Sequence, residues 1–223
     1  MKRTDDLQYR GLVLLQDTEL PCFTEDSVWL ANFLRLRGRD RVIDLGSGSG
    51  LLSVLGQGKT GASFVGVEKH AALVALAKES AAVNGQEIPF YAMDVADAPA
   101  FFGHGSFTAA VINPPYFTAG PASTEEHRAA ARHGDADTLS TFFHAAFLLL
   151  NNGGKLFVCY PAERMCDLFA ALRAARLEPK RAKLVAASFE KPPRLILLEA
   201  QKDAKPGIRW EPTAVGTAGS DTE

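Results

Sequence analysis

Arg41-Val42-Ile43-Asp44-Leu45-Gly46-Ser47-Gly48-Ser49-Gly50 is the stretch that decides the fold. A short apolar run leads into three glycines at alternate positions, and an apolar helical segment opens at Leu51. Apolar runs of this length are strands covered on both faces, as in a parallel sheet between helices. Glycines at the carboxyl end of such a strand let the chain turn sharply and let a ligand come close to the backbone. The spacing is Gly-x-Gly-x-Gly, not the Gly-x-Gly-x-x-Gly of dinucleotide sites, and no Lys-Ser/Thr follows as a phosphate loop requires. The turn suits a nucleoside that carries no pyrophosphate.

Outward from this turn the pattern repeats. Further strand-like runs occupy residues 63–68, 88–94, 107–112 and 155–160, with later candidates at 182–188 and 194–200. Helical patterns lie at 26–36, 71–83, 139–150 and 165–176, and Asn151-Asn152-Gly153-Gly154 is a helix stop. This alternation predicts an α/β, doubly wound, Rossmann-like sheet, mostly parallel, with helices on both faces. Leu55-Gly56-Gln57-Gly58-Lys59-Thr60 predicts a short or bent first helix after the turn. One domain is expected over residues 1–210, with 1–40 as a strand and helix extension and 211–223 as a flexible tail.

Two acids stand where ligands bind in open α/β sheets, at the carboxyl ends of strands. Glu68 ends the second strand of the pattern and can accept hydrogen bonds from both hydroxyls of a ribose. Asp94 ends the third and can accept from an adenine amino group. After the fourth comes Asn113-Pro114-Pro115-Tyr116. Two prolines fix φ and forbid continuation of strand or helix, so the sequence is at least a rigid exit turn. It also places the Asn113 amide carbonyl beside the Pro114 backbone carbonyl, with the flat face of Tyr116 next to them. Two fixed acceptors and a stacking surface match an exocyclic amine on a planar group.

Together, Asp44, Gly46, Gly48, Gly50, Glu68, Asp94 and Asn113-Pro114-Pro115-Tyr116 resemble class I S-adenosylmethionine-dependent methyltransferases. The resemblance implies a seven-stranded sheet and S-adenosylmethionine as cofactor. It places Asp44 and the glycine loop at the methionine part, Glu68 at the ribose, Asp94 at the adenine, and Asn113 at the junction of cofactor and substrate. The Asn-Pro-Pro-Tyr turn belongs to enzymes methylating adenine amines and equally to those methylating glutamine amides. Enzymes methylating guanine amines of ribosomal RNA carry similar turns and often duplicate the domain. The glutamine enzymes carry a helical docking domain before the glycine loop, whereas 45 residues precede Gly46 here. Residues 24–31 with Asp26, Phe117 after the turn, and residues 126–133 with Arg128, Arg132 and His133 are similar to the small bacterial family of valine-tRNA adenine-37 N6-methyltransferases. That likeness implies tRNA contacts at Asp26, Phe117, Arg128, Arg132 and His133. Residues 117–137 read as a long connection typical of a functional lid. A module that binds the cofactor without catalysis is the alternative outside enzymes.

Charge is divided along the 223 residues. Residues 1–163 hold 13 basic and 18 acidic side chains, and residues 164–209 hold 11 and 5, within a chain of net charge −2. A basic face within 164–209 is therefore expected to meet RNA phosphates. Cys22, Cys159 and Cys166 form no Cys-x-x-Cys pair, so no disulfide framework and no metal site are expected, and buried Cys159 reads as a small hydrophobe. The acidic start and the absence of any apolar run near 18 residues predict a cytoplasmic protein without a membrane segment, by default a monomer.

Overall fold

A computed structural model describes residues 1–22, 24–115 and 125–218, with the backbone alone for 125–136. In chain order the elements are β1 (Lys2–Asp6), β2 (Val13–Asp17), α1 (Glu25–Phe33), β3 (Arg41–Leu45), α2 (Leu51–Thr60) and β4 (Ser63–Glu68). There follow α3 (Ala71–Val83), β5 (Phe90–Ala92), α4 (Ala98–Phe102), β6 (Phe107–Ile112) and α5 (Glu125–Leu149). The chain continues through β7 (Leu150–Pro161), α6 (Met165–Ala174), β8 (Leu177–Ala186), β9 (Leu195–Lys202), β10 (Arg209–Trp210) and β11 (Ala214–Val215). The sheet runs β5-β4-β3-β6-β7-β9-β8. Every pair from β5 to β7 is parallel, and β9 lies antiparallel between β7 and β8. This is the expected seven-stranded, Rossmann-like arrangement, to which the two-residue strands β10 and β11 add along β8.

The strand sequences account for two cores. Side chains alternate across a strand, so an apolar run feeds both faces at once. Val42, Val111, Phe157 and Cys159 pack toward α1, α2 and α3, while Ile43, Leu45, Ile112, Val158 and Tyr160 pack toward α4, α5 and α6. The β1–β2 hairpin would leave backbone groups of β2 open, and α3 closes them. Ser80 Oγ accepts from the Leu15 amide at 3.0 Å, and the Asn84 carboxamide exchanges two bonds with the Val13 backbone.

Several expectations are corrected. The helix before β7 begins at Glu125, so residues 125–137 are helical rather than the long loop predicted over 117–137. The Asn-Asn-Gly-Gly stretch is a bulge within β7, where pairing with β6 jumps from Leu150 to Lys155. The α2 helix is regular through Thr60. Its glycines make room instead: a Cβ on Gly56 would lie 2.5 Å from the Phe64 ring, and one on Gly58 2.5 Å from Leu12. Within the stretch expected as a flexible tail, Ala218 contacts α1: its amide donates to Glu25 and its carbonyl accepts from Asn32.

Part of the basic stretch is engaged within the fold. Arg173, Arg176, Arg164 and Arg194 pair with Glu178, Asp203, Asp167 and Glu25 respectively. Lys202 Nζ donates to the carbonyls of Phe147 and Leu150. Arg181 is buried, donating to Glu199 at 2.8 Å, Glu211 at 3.2 Å and the Phe33 carbonyl at 2.8 Å, with its guanidinium 3.6 Å over the Phe33 ring. Its charge ties β8, β9, the tail and α1 together. Removing one member of a buried ionic cluster strands its partners, so Arg181→Ala should cost about 3–5 kcal/mol. Urea denaturation measures this, and a change under about 1 kcal/mol would show that Arg181 is not a structural tie.

Candidate active site

The register of the central strands assembles the site. Leu45 of β3 lies level with Val67 of β4 and Ile112 of β6. The next residue on each strand is therefore Gly46, Glu68 and Asn113, side by side at the carboxyl edge. Glu68 in turn lies level with Ala92 of β5, which brings Asp94 to the same edge. These residues border a cleft of about 700 Å³ that is also lined by Ser47, His70, Pro114, Pro115 and, from α1 and its approach, Ser27 and Thr24.

The glycine loop is held by β4: the amides of Gly46 and Ser47 both donate to the Val67 carbonyl, at 2.8 and 2.9 Å. Gly46, Gly48 and Gly50 all have positive φ, a conformation costly for other residues. Gly48 has open space where a Cβ would point, and its amide donates to Glu68 Oε2 at 3.2 Å. Gly50 caps α2 against Ala77 and Phe90 and does not line the cleft.

Glu68 is pre-set for hydroxyl recognition. Its Oε1 accepts from the His70 backbone amide at 3.0 Å and lies 2.7 Å from His70 Nδ1, which must donate to a carboxylate. With Oε2 on Gly48, both oxygens are fixed while lone pairs remain for a diol. His70 is thus part of the site, and its place two residues after Glu68 is the clue that the sequence offers. Asp94 Oδ1 accepts from the Ala96 amide at 2.9 Å and caps a 3₁₀ turn, Val95–Asp97, at the cleft wall.

Asp44 occupies a different place from the one expected. It is fully buried beneath the loop and is not a lining residue of the cleft. Its Oδ2 accepts from Ser53 of α2 at 2.7 Å, and its Oδ1 is buried without a partner. Burial, opposed by the Ser53 bond, raises its pKa to about 7. Asp26 is likewise away from the cleft, paired with Arg194 at the start of α1. Tyr116 and Phe117 lie outside the described residues. Arg128, Arg132 and His133 fall on α5, in the part described by backbone alone.

The Asn113 carboxamide is gripped from two sides. Nδ2 donates to Ser27 Oγ of α1 at 2.8 Å, and Oδ1 accepts from the Cys159 thiol of β7 at 3.2 Å. Pro114 beside it is buried and Pro115 exposed. Neither Ser27 nor Cys159 was found by sequence reasoning. Among the described residues, no cluster of three or more His, Cys, Asp or Glu can hold a metal ion, and no helix is long and apolar enough to cross a membrane.

Comparison with known proteins agrees with this geometry. The family model for the methyltransferase small domain matches residues 25–174. A protein of Shewanella halifaxensis named tRNA1(Val) (adenine(37)-N6)-methyltransferase is 30% identical, covering 81% of this chain and 74% of its own length. A protein of the same name from Shewanella amazonensis is 38% identical over 110 residues, and there the match spans about half of each, 48% of this chain and 47% of the relative. A protein of Methanocaldococcus jannaschii named as an N5-glutamine methyltransferase is 31% identical over 54% of this chain and 57% of its own. Among solved structures, a predicted O-methyltransferase of Agrobacterium tumefaciens superposes with a TM-score of 0.68 at 17% identity, covering 85% of this chain and 86% of that one, which shows the shared fold.

S-adenosylmethionine is the cofactor, and the cleft fits it. Glu68 would hold the ribose hydroxyls, Asp94 the adenine amine, and the Gly46–Gly48 backbone with Ser47, whose Oγ is buried without a partner, the methionine end. Glu68→Ala should raise the dissociation constant of S-adenosylhomocysteine by about 100-fold or more, the loss of two hydrogen bonds to a charged group. Calorimetric titration reads this, and an unaltered constant would move the ribose elsewhere. Asp44 gives a pH test. Its folded pKa lies above the unfolded value, so the folded protein binds this proton more tightly. Its contribution to stability is present at low pH and is lost as pH rises toward about 7. Asp44→Asn should therefore gain stability over the wild type between about pH 5 and about pH 8, by up to about 4 kcal/mol. Denaturation midpoints measured across that range would contradict this if the two proteins ran parallel. With its glycine loop, the acid that ends β4 and the Asn-Pro-Pro turn on one cleft, the chain belongs to the methyltransferase small domain family.

Proposed function

We propose that this methyltransferase transfers the methyl group of S-adenosylmethionine to the exocyclic N6 amine of an adenine in tRNA, at position 37 of the anticodon loop. In this reading it works as a cytoplasmic monomer. The observation that carries it is the Asn113-Pro114 pair of acceptors at the edge of the cofactor cleft, with Asn113 held on both sides. The relatives from Shewanella, by their names, direct the choice among planar amines toward adenine-37 of a valine tRNA.

The chemistry follows from the acceptors. When bound, S-adenosylmethionine supplies an electrophilic methyl group on a sulfonium. Asn113 Oδ1 and the Pro114 carbonyl accept the two N–H bonds of the amine. Held in this way, the nitrogen is turned so that its lone pair leaves conjugation with the ring and points out of the ring plane. The nitrogen becomes cationic as the new bond forms, and two acceptors stabilise that charge as it develops. The proton then leaves to water, so no side-chain base is required. Rate enhancement comes from orientation and electrostatics. Tyr116, beyond the described residues, is proposed to stack on the base. Phe117, Arg128, Arg132 and His133 are proposed to meet the RNA around it.

A glutamine side-chain amide is the second reading, favoured by the N5-glutamine methyltransferase relative. Labelled S-adenosylmethionine incubated in parallel with unmodified tRNA, ribosomal RNA and a protein extract separates the two. The expected result is label in N6-methyladenosine after digestion of tRNA, reduced roughly 100-fold or more in Asn113→Ala with cofactor binding retained. Label confined to protein would transfer the same acceptor geometry to a glutamine amide. Label in N2-methylguanosine from the ribosomal RNA sample alone would assign it to a guanine amine of ribosomal RNA.

A further inference from the structure

Asn113 serves as an acceptor only if its oxygen, and not its NH₂, is presented to the substrate. A carboxamide turned by half a revolution would place two donors where the amine brings its own donors. Something must set that choice. On β7, Val158 lies level with Ile112 of β6, so Cys159 is the lateral neighbour of Asn113. The Cys159 thiol is 3.2 Å from Asn113 Oδ1, and Ser27 Oγ is 2.8 Å from Nδ2. The serine hydroxyl can donate or accept, so it tolerates either orientation. The thiol carries one hydrogen to give: its S–H, though a weak donor, meets a carbonyl oxygen, whereas a turned carboxamide would set its NH₂ against a sulfur that is only a weak acceptor.

We propose that Cys159 is a positioning residue that fixes the Asn113 carboxamide with Oδ1 as acceptor, and that Ser27 braces its other end. The inference rests on the proposed role of Asn113 as an amine acceptor. A carbonyl oxygen has two lone pairs, so the bond from Cys159 leaves one for the substrate. The environment keeps the thiol protonated. Cys159 is fully buried, Asp26 lies near it, and together burial and that negative charge push the thiol far above its ordinary range, only partly offset by Arg194. Across the working pH range the sulfur therefore carries its hydrogen, and it remains a donor. Asp26, paired with Arg194, also anchors the first turn of α1 one residue before Ser27, which ties both braces to the same local framework.

Three variants test this. Cys159→Val, similar in size but without a donor, should lower kcat by about tenfold or more while the affinity for S-adenosylhomocysteine stays within about twofold. Cys159→Ser, which restores a donor at the same position, should recover most of that loss. An unchanged kcat in Cys159→Val would overturn the proposal. So would equal losses in the valine and serine variants together with weakened cofactor binding, which is the signature of packing alone. The infrared S–H stretching band that disappears in Cys159→Val gives a readout independent of any substrate. Asn113→Ala should move that band to higher frequency by removing its acceptor, and a band that stays in place would refute the contact. A wild type that methylates no adenine but retains the shifted band would overturn the substrate reading alone.

Discussion

Parallel pairing of β3 with β4 and β6 is the constraint on which the site depends. With Leu45 level with both Val67 and Ile112, the three following residues emerge at one edge: a glycine that turns, a carboxylate and a carboxamide. A slip of one residue in either pair would exchange the faces of the strand, bury polar groups and separate Glu68 from Asn113. The register is held by the two cores, since each strand places alternate apolar residues on opposite faces. Stability and catalysis are thus served by the same alignment.

Upon this edge the protein builds by prior bonding rather than by exposed reactivity. Glu68 is fixed by Gly48 and His70, Asp94 by Ala96, and Asn113 by Ser27 and Cys159. Each retains acceptor capacity for a ligand while its orientation is already set. That suits the proposed chemistry, which asks for placement of a nucleophile and not for a strong base. Part of the charge of residues 164–209 is engaged inside the fold. Arg181 and Arg194 join the antiparallel strands to α1, which carries Ser27.

What the sequence disclosed were features encoded locally. Strand ends, the glycine turn, Glu68, Asp94 and the Asn-Pro-Pro turn can each be read within a few residues, and alternation of strand and helix supplies their common edge. What it hid was direction and distance. Asp44 lies within the glycine motif, yet strand alternation turns it toward Ser53 and away from the cleft, because it shares a face with Val42 rather than with Leu45. Cys159 and Ser27 meet Asn113 from 46 and 86 residues away, and no local pattern marks them. The glycines of α2 looked like helix breakers until Phe64 and Leu12 were seen to need their space. The paired arginines looked like a surface because their partners lie on other strands and in the tail.

The central claim is that Asn113 and Pro114 grip both N–H bonds of an exocyclic amine beside the cofactor. The most direct measurement is a crystal structure of the chain with S-adenosylhomocysteine and an anticodon stem-loop bearing an unmodified adenine. The account predicts that the adenine N6 lies within hydrogen-bond distance of both Asn113 Oδ1 and the Pro114 carbonyl oxygen, at about 3 Å from each. An adenine bound elsewhere, or an amine meeting Asn113 Nδ2 instead of its oxygen, would contradict it.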